Sequence, residues 1–265
     1  MPDVPRALAV AGSDSGGGAG IQADLKTFQA LGVFGTTAVT AVTVQNTKGV
    51  SGYHEIPPDV VAEQIRAVVT DIGADAAKTG MLASAPIIEA AADALRETGV
   101  RNLVVDPVFM SKHGHPLLRE DAVDALRTAI LPLATLVTPN LPEAAGLAGF
   151  EVRTAEDMER AGRAIIDLGP GAVLVKGGHR EDGQATDLLV TGEGVEPIPG
   201  ERIDTPHTHG TGCVLSAAIT AHLARGASLR DAVARGKVFV TEAIRHALVI
   251  GQGIGPVDPG WDLPD

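Results

Sequence analysis

The chain has 265 residues and a net charge of −12, with one cysteine and an aromatic set of only five Phe, one Tyr and one Trp. Such a charge argues against an electrostatic nucleic-acid surface, and so few rings cannot form a base-stacking track. One thiol makes neither an intrachain disulfide nor a multi-thiolate metal site, and no apolar run approaches the ~20 residues of a membrane span, so the expectation is a cytoplasmic enzyme with no nucleic-acid or membrane partner.

Short β-prone runs alternate with helix-length segments. Arg6 to Ala11 reads as a first strand, followed by a glycine-rich turn and a helix from about Ala19 to Leu31. Thr36 to Val44 reads as one strand, rich in Thr and Val. Pro58 to Asp71 reads as a helix with Pro as its first residue and acidic side chains in its first turns. Ala76 to Thr79 is a short strand, and Pro86 to Thr98 an Ala-rich helix closed by Gly99. Asn102 to Val105 is a strand, Glu120 to Ile130 a helix and Thr135 to Val137 a strand. Thr154 opens a helix that runs to Leu168, with a near capping box of Thr-x-x-Asp. Ala172 to Val175 is a strand, and Ala185 to Val190 with Glu193 to Ile198 reads as a hairpin. Thr211 to Arg225 and Leu229 to Ala247 are the final helices. This alternation predicts one α/β domain over 1–265, a mainly parallel sheet with helices on both faces.

Several predicted strands end in loops of unusual chemistry: Gly12 to Gly20, Lys78-Thr-Gly80, Asp106-Pro-Val, Pro139-Asn-Leu-Pro-Glu143 and Lys176-Gly-Gly-His179. Ligands of open α/β sheets bind at such strand ends. The first glycine cluster fits neither a phosphate-binding Walker loop nor a dinucleotide fingerprint; it is either a loop whose amides approach a ligand or anion, or a flexible connector. Asp24, in the helix that follows, either complements the helix dipole or points into a cleft.

The strongest local signal is Thr208-His-Gly-Thr-Gly-Cys213 before an Ala-rich helix. Gly210 and Gly212 lack Cβ atoms, so the amides from Gly210 through Thr211 to Cys213 can converge on one point with a helix dipole behind them. That is an anion hole, and a transferred phosphoryl group suits it. Cys213 is either a base, its pKa pulled below ~8.5 by the helix N-terminus, or a small buried apolar residue. Asn140 and Glu143 have the spacing to hold Mg²⁺ through water, and equally that of a helix cap with a first-turn Glu. Lys176 is either a phosphate-binding point charge or a surface lysine. His113/His115 and His207/His209 form His-x-His pairs without a standard zinc spacing. No esterase or zinc-hydrolase motif occurs.

With Ala9 to Asp24, Thr40 to Thr47, Lys78 to Met81, Val105 to Val108, Thr138 to Glu143, Val175 to His179 and Thr208 to Cys213 assembled, the chain resembles the ribokinase-like superfamily. Within it the resemblance is to the hydroxymethylpyrimidine/phosphomethylpyrimidine kinases of thiamine biosynthesis, over about Arg6 to Val257. Cys213, where most sugar kinases of the superfamily carry Asp, points to the vitamin-kinase branch. The resemblance implies a three-layer α/β/α sandwich with a mostly parallel central sheet, its small hairpin elements a flap rather than a full lid. It implies ATP- and Mg²⁺-dependent phosphorylation of 4-amino-5-hydroxymethyl-2-methylpyrimidine, then of its monophosphate, by a homodimer. Gly12, Asp24, Val44, Gln45 and Met81 match the pyrimidine site, with Asp24 and Gln45 reading the ring. Cys213 matches the base and Gly210, Thr211 and Gly212 the anion hole. Asp106, Asn140, Lys176 and Thr208 match the nucleotide region, and Glu143 with Asp106 the Mg²⁺ position. One departure is Phe109 after Asp-Pro-Val, where the family usually has Met; the neighbouring Met110 is the candidate to compensate. A pyridoxal kinase and a non-catalytic vitamin-binding or redox-sensing protein are the competing readings.

Overall fold

The computed structural model describes residues 4–110, 114, 117, 122–178 and 185–263. Its centre is an eight-stranded sheet in the order β10-β9-β8-β7-β6-β5-β1-β2. These strands are β1 (Arg6–Ala11), β2 (Phe34–Val39), β5 (Ala76–Thr79), β6 (Leu103–Val105), β7 (Leu136–Val137), β8 (Ala172–Val175), β9 (Asp187–Thr191) and β10 (Gly194–Ile198). From β8 to β2 all pairs are parallel; β9 and β10 add an antiparallel edge.

The alternation of side chains along the strands builds two apolar layers. In β1, Leu8 and Val10 face one core, and Ala7 and Ala9 the opposite one. The first core is closed by α2 (Pro58–Asp71), α3 (Ala85–Thr98), α5 (Leu141–Ala148) and α6 (Ala155–Ile166). The other face is covered by α1 (Gly20–Ala30), α7 (Thr211–Ala224) and α8 (Leu229–Arg245). This is the expected three-layer α/β/α arrangement. Every residue of α7 from Val214 to Leu223 is buried, because the helix is wedged between α8, α1 and the sheet. Burial of a side chain such as Ile219 is worth roughly 1.5–3 kcal/mol, and Gly236 of α8 lets it sit close: a Cβ there would lie 2.6 Å from Ile219 Cγ1.

The main departures from the sequence reading are these. The run 36–44 is not one strand. It breaks at Thr40, whose hydroxyl donates to the Met81 carbonyl, and continues as β3 (Ala41–Asn46), which pairs with β4 (Gly49–Glu55) as a separate two-stranded sheet. This ribbon is the flap-like element, whereas the expected hairpin of 185–198 belongs to the main sheet. In the predicted helix 120–130, the described part is a short α4 (Ala122–Ala125) followed by a π-turn over Leu126–Ile130. Among the described residues no helix is long and apolar enough to cross a membrane.

Candidate active site

The carboxyl ends of β1, β5, β6, β7 and β8 lie along one edge of the sheet. They carry Gly12, Lys78, Asp106, Asn140 and Lys176. The N-terminus of α7 comes down on this edge. Its cap, Gly210, has φ +81°, and a Cβ there would lie 1.9 Å from the Gly18 carbonyl oxygen. Only glycine allows that conformation and that approach.

Thr208 accepts from the Thr211 hydroxyl at 2.8 Å and from its amide at 3.4 Å. The amides of Gly212 and Cys213 have no acceptor among the described residues, as the first turn of a helix requires. Beneath them stand a carboxylate and an ammonium. A Cβ on Gly212 would lie 3.4 Å from Asp106 Oδ2 and 3.6 Å from Lys176 Nζ. Lys176 Nζ is 3.0 Å from Asp106 Oδ1 and 3.8 Å from Glu143 Oε2. Lys176 is therefore a cleft residue and not a surface lysine.

Asn140 and Glu143 form a complete capping box at α5, Asn140 Oδ1 accepting from the Glu143 amide and Glu143 Oε2 from the Asn140 amide. The cap reading is thus realised, and the same Glu143 faces Lys176. Burial pushes the Glu143 carboxyl up to about 7, with Lys176 working against the shift and Asp106 adding to it. Burial also works against the Lys176 charge, but Asp106 and Glu143 outweigh it and push the ammonium's pKa up. Asp106, the nearer partner, takes the larger share of Lys176, leaving Glu143 poorly compensated. Two residues missed in the sequence support this side: Asp187 accepts from the Gly177 amide at 2.8 Å and from Lys237 Nζ at 2.6 Å.

The first glycine loop differs from expectation. Its amides do not wait for an external anion, because Asp14 fills the role from within. Its carboxylate accepts from Gly16 at 2.7 Å, Gly18 at 3.0 Å, Ala19 at 2.8 Å and His209 Nε2 at 2.8 Å. Burial raises the Asp14 pKa, but His209 and the amides of Gly16 and Ala19 outweigh it and hold the carboxyl below its usual range. Asp14 and His209 were not read as a pair from sequence, since 195 positions separate them.

Gln45, on the flap, is tied to the same loop: Ser15 Oγ donates to its carbonyl at 2.7 Å and accepts from its amide at 2.8 Å. Its side-chain Nε2 lies 3.4 Å from His209 Nε2. The Gly12 amide donates to the Met81 carbonyl, and a Cβ on Gly12 would sit 3.1 Å from Met81 Sδ. Gly12, Met81 and Gln45 are thus gathered around the glycine loop, while the Val44 side chain is 64% exposed on the flap.

Asp24 does not serve the helix dipole. It lies beyond the first turn of α1, fully buried, and meets Lys78 Nζ at 2.7 Å. Cys213 departs furthest from the sequence expectation: its thiol pKa is not lowered but pushed up to about 11. Burial is the main cause; Lys78 and the Gly20 amide favour the thiolate, and Asp24 and Asp106 oppose it. The helix N-terminus does not overcome desolvation.

Of the histidine pairs, His207 Nδ1 accepts from the Gly255 amide and His209 meets Asp14. His113, His115 and His179 lie outside the described residues, among which no cluster of three His, Cys, Asp or Glu side chains suits a metal. Phe109 fills the face of α5 against Gly146, where a Cβ would meet its ring at 2.4 Å. Met110 is 55% exposed and does not take the place that Phe109 leaves.

Comparison with known proteins gives the same frame. The chain is 51% identical over 259 residues to the hydroxymethylpyrimidine/phosphomethylpyrimidine kinase of Streptomyces coelicolor, covering 98% of this chain and 96% of that protein. An ADP complex of Bacillus subtilis pyridoxal kinase superposes with a TM-score of 0.91 at 42% identity, over 97% of this chain and 98% of that one. The Staphylococcus aureus pyridoxal kinase bound to AMP-PCP and pyridoxal superposes with a TM-score of 0.90 at 37% identity, over 97% and 94% of the two chains. The family model described as phosphomethylpyrimidine kinase matches residues 14–258, and the chain belongs to that family.

Proposed function

We propose that this protein transfers the γ-phosphoryl group of ATP to the hydroxymethyl group of 4-amino-5-hydroxymethyl-2-methylpyrimidine, and then phosphorylates the monophosphate to the diphosphate. The observation that carries the reading is the Gly212 and Cys213 amides, without an acceptor among the described residues, at a turn where Gly212 stands over Asp106 and Lys176. A phosphoryl group placed there meets two N–H donors, a helix dipole and an ammonium, which is what a loose, charge-spreading transition state requires. Relatives carrying ADP or AMP-PCP support ATP as the donor.

Gly12, Met81 and Gln45 would line the pyrimidine side, Gln45 offering an amide donor and acceptor to the ring edge. Asn140 and Thr208 flank the nucleotide side. Cys213 would take the alcohol proton as the new O–P bond forms. Glu143 and Asp106 suit Mg²⁺ held largely through its water shell, since the ion takes one or two carboxylates and keeps several waters. When bound, Mg²⁺ supplies neutralisation of the phosphate charge. Lys176 compensates Asp106 more closely than Glu143 and presents its ammonium below the anion hole.

One domain over 1–265 and a cytoplasmic homodimer complete the proposal. The apolar Val42 and Val44, 50% and 64% exposed on the flap, are suited to cover by a second subunit. Pyridoxal is the second reading, favoured by the two pyridoxal kinases of similar structure. Measuring kcat/KM for the two alcohols decides between them. A higher value for the aminopyrimidine is expected, and a higher value for pyridoxal would assign the second reading.

A further inference from the structure

Lys78 has no role in the account above, and Asp24, which the resemblance matches to ring recognition, is fully buried against it. Lys78, at the carboxyl end of β5, and Asp24, on α1, are both 0% exposed and stand 2.7 Å apart. Burying such a pair is costly unless every polar atom is satisfied, and a pair of apolar residues often serves stability as well. This pair is not fully satisfied: Asp24 Oδ2 is buried without a hydrogen-bond partner among the described residues. Packing alone therefore accounts poorly for two charges in this position.

Their placement suggests what they do. The first helical residues of α7 stand over the cleft edge, and α7 packs directly on β5 and α1. Ala76 of β5 lies in the core against which Cys213, the third residue of α7, packs, and Lys78, two residues further along the strand, shares that face. The charged groups acting on the thiol are Lys78 from β5, Asp24 from α1 and Asp106 from the end of β6, together with the Gly20 amide. Lys78 is the cation of the set, and it responds in turn to Asp24, Cys213 and Asp106. A neutral thiol accepts no proton, so a base at this position must pass through its thiolate, and a thiolate in a half-buried, largely desolvated site is favoured by a fixed positive charge.

We infer that Lys78 is a positioning residue of the transfer reaction, its buried ammonium stabilising negative charge on the Cys213 sulfur while Asp24 holds and moderates that ammonium. The inference rests on the reading of Cys213 as the base. The proton balance is closed. The thiol releases its proton to water. The thiolate takes the alcohol proton as the O–P bond forms and the bond to ADP breaks, and the thiol is restored. Lys78 and Asp24 keep their protonation states throughout.

The test reads the thiol directly, using the full-length protein and the rate of iodoacetamide alkylation of its single cysteine from pH 6.5 to 10. Lys78→Met is expected to move the profile to higher pH and slow alkylation about tenfold or more at pH 8, as loss of a nearby opposite charge does. Asp24→Asn is expected to move it to lower pH and speed the reaction. Opposite shifts from two members of one ion pair are the signature, because a merely structural defect opens the site and speeds both. Where Lys78→Met does not fold, Lys78→Met/Asp24→Leu removes both charges and is expected to alkylate more slowly than the wild type, since the ammonium is the stronger influence. Unmoved profiles, or shifts of the same sign, overturn the inference. Failure of the base reading is seen separately: wild-type turnover in Cys213→Ala would remove Cys213 from the chemistry without altering these alkylation profiles.

Discussion

His209 Nε2 lies 2.8 Å from Asp14 Oδ2, and this one bond joins the loop after β1 to the turn before α7. The same carboxylate collects the amides of Gly16, Gly18 and Ala19, and Gly18 in turn lies against Gly210. The loop after β1 and the turn before α7 are therefore held as one unit. Asp14→Ala leaves the amides of Gly16, Gly18 and Ala19 without their acceptor, Gly18 in a buried position and the other two nearer solvent. A buried group left unsatisfied costs about 1–3 kcal/mol. The variant is expected to lose about 1–3 kcal/mol in denaturant unfolding; an unchanged stability would contradict the hub.

The two glycines of the anion hole separate folding from chemistry. Gly210→Ala forces a Cβ to within 1.9 Å of the Gly18 carbonyl at positive φ and should prevent the turn from forming. Gly212→Ala meets only ordinary contacts, at 3.4 and 3.6 Å, but occupies the space between the amides and Lys176. It should fold with nearly wild-type Tm and lose about 10²-fold or more in kcat/KM. Calorimetry paired with steady-state kinetics checks both, and an active Gly212→Ala would move the phosphate elsewhere.

For Cys213→Ala the expected loss is ~10²–10⁴-fold in kcat with substrate KM largely kept, the range of general-base assistance. A kcat near that of the wild type would remove the base role.

Glu143 gives a pH prediction with a definite sign. Its pKa rises from 4.5 to about 7 on folding, so between these values the folded protein binds more protons than the unfolded chain. Stability then falls as pH rises from 4.5 to 7, and the deficit persists above 7. Glu143→Gln removes this contribution: its Tm relative to the wild type should rise across that window and level off by pH 8. A difference that is flat in pH, or that runs the other way, would contradict the assignment.

Much of the frame was legible in the sequence. The ends of β1, β5 and β8, the caps of α3 and α6 and the glycine turn before α7 all stand where local signals put them. Local signals report backbone conformation and facing, and these residues are decided locally. The flap was not legible, because Thr36 to Val44 is uniformly β-prone and the break at Thr40 is fixed by a bond to Met81, 41 positions away. The pairings of Asp14 with His209, Lys78 with Asp24 and Asp187 with Lys237 were missed for the same reason: the partners are brought close only by the fold. The thiol was misjudged because the helix N-terminus is visible in sequence, whereas the desolvation imposed by the surrounding fold is not. Family resemblance supplied the roles that neither signal carries.

The most direct test incubates the protein with ATP, Mg²⁺ and 4-amino-5-hydroxymethyl-2-methylpyrimidine and follows products by mass. Appearance of the monophosphate and then the diphosphate, with ADP formed at each step, is the predicted result. ATP left intact, or a monophosphate formed from pyridoxal alone, would contradict the assignment.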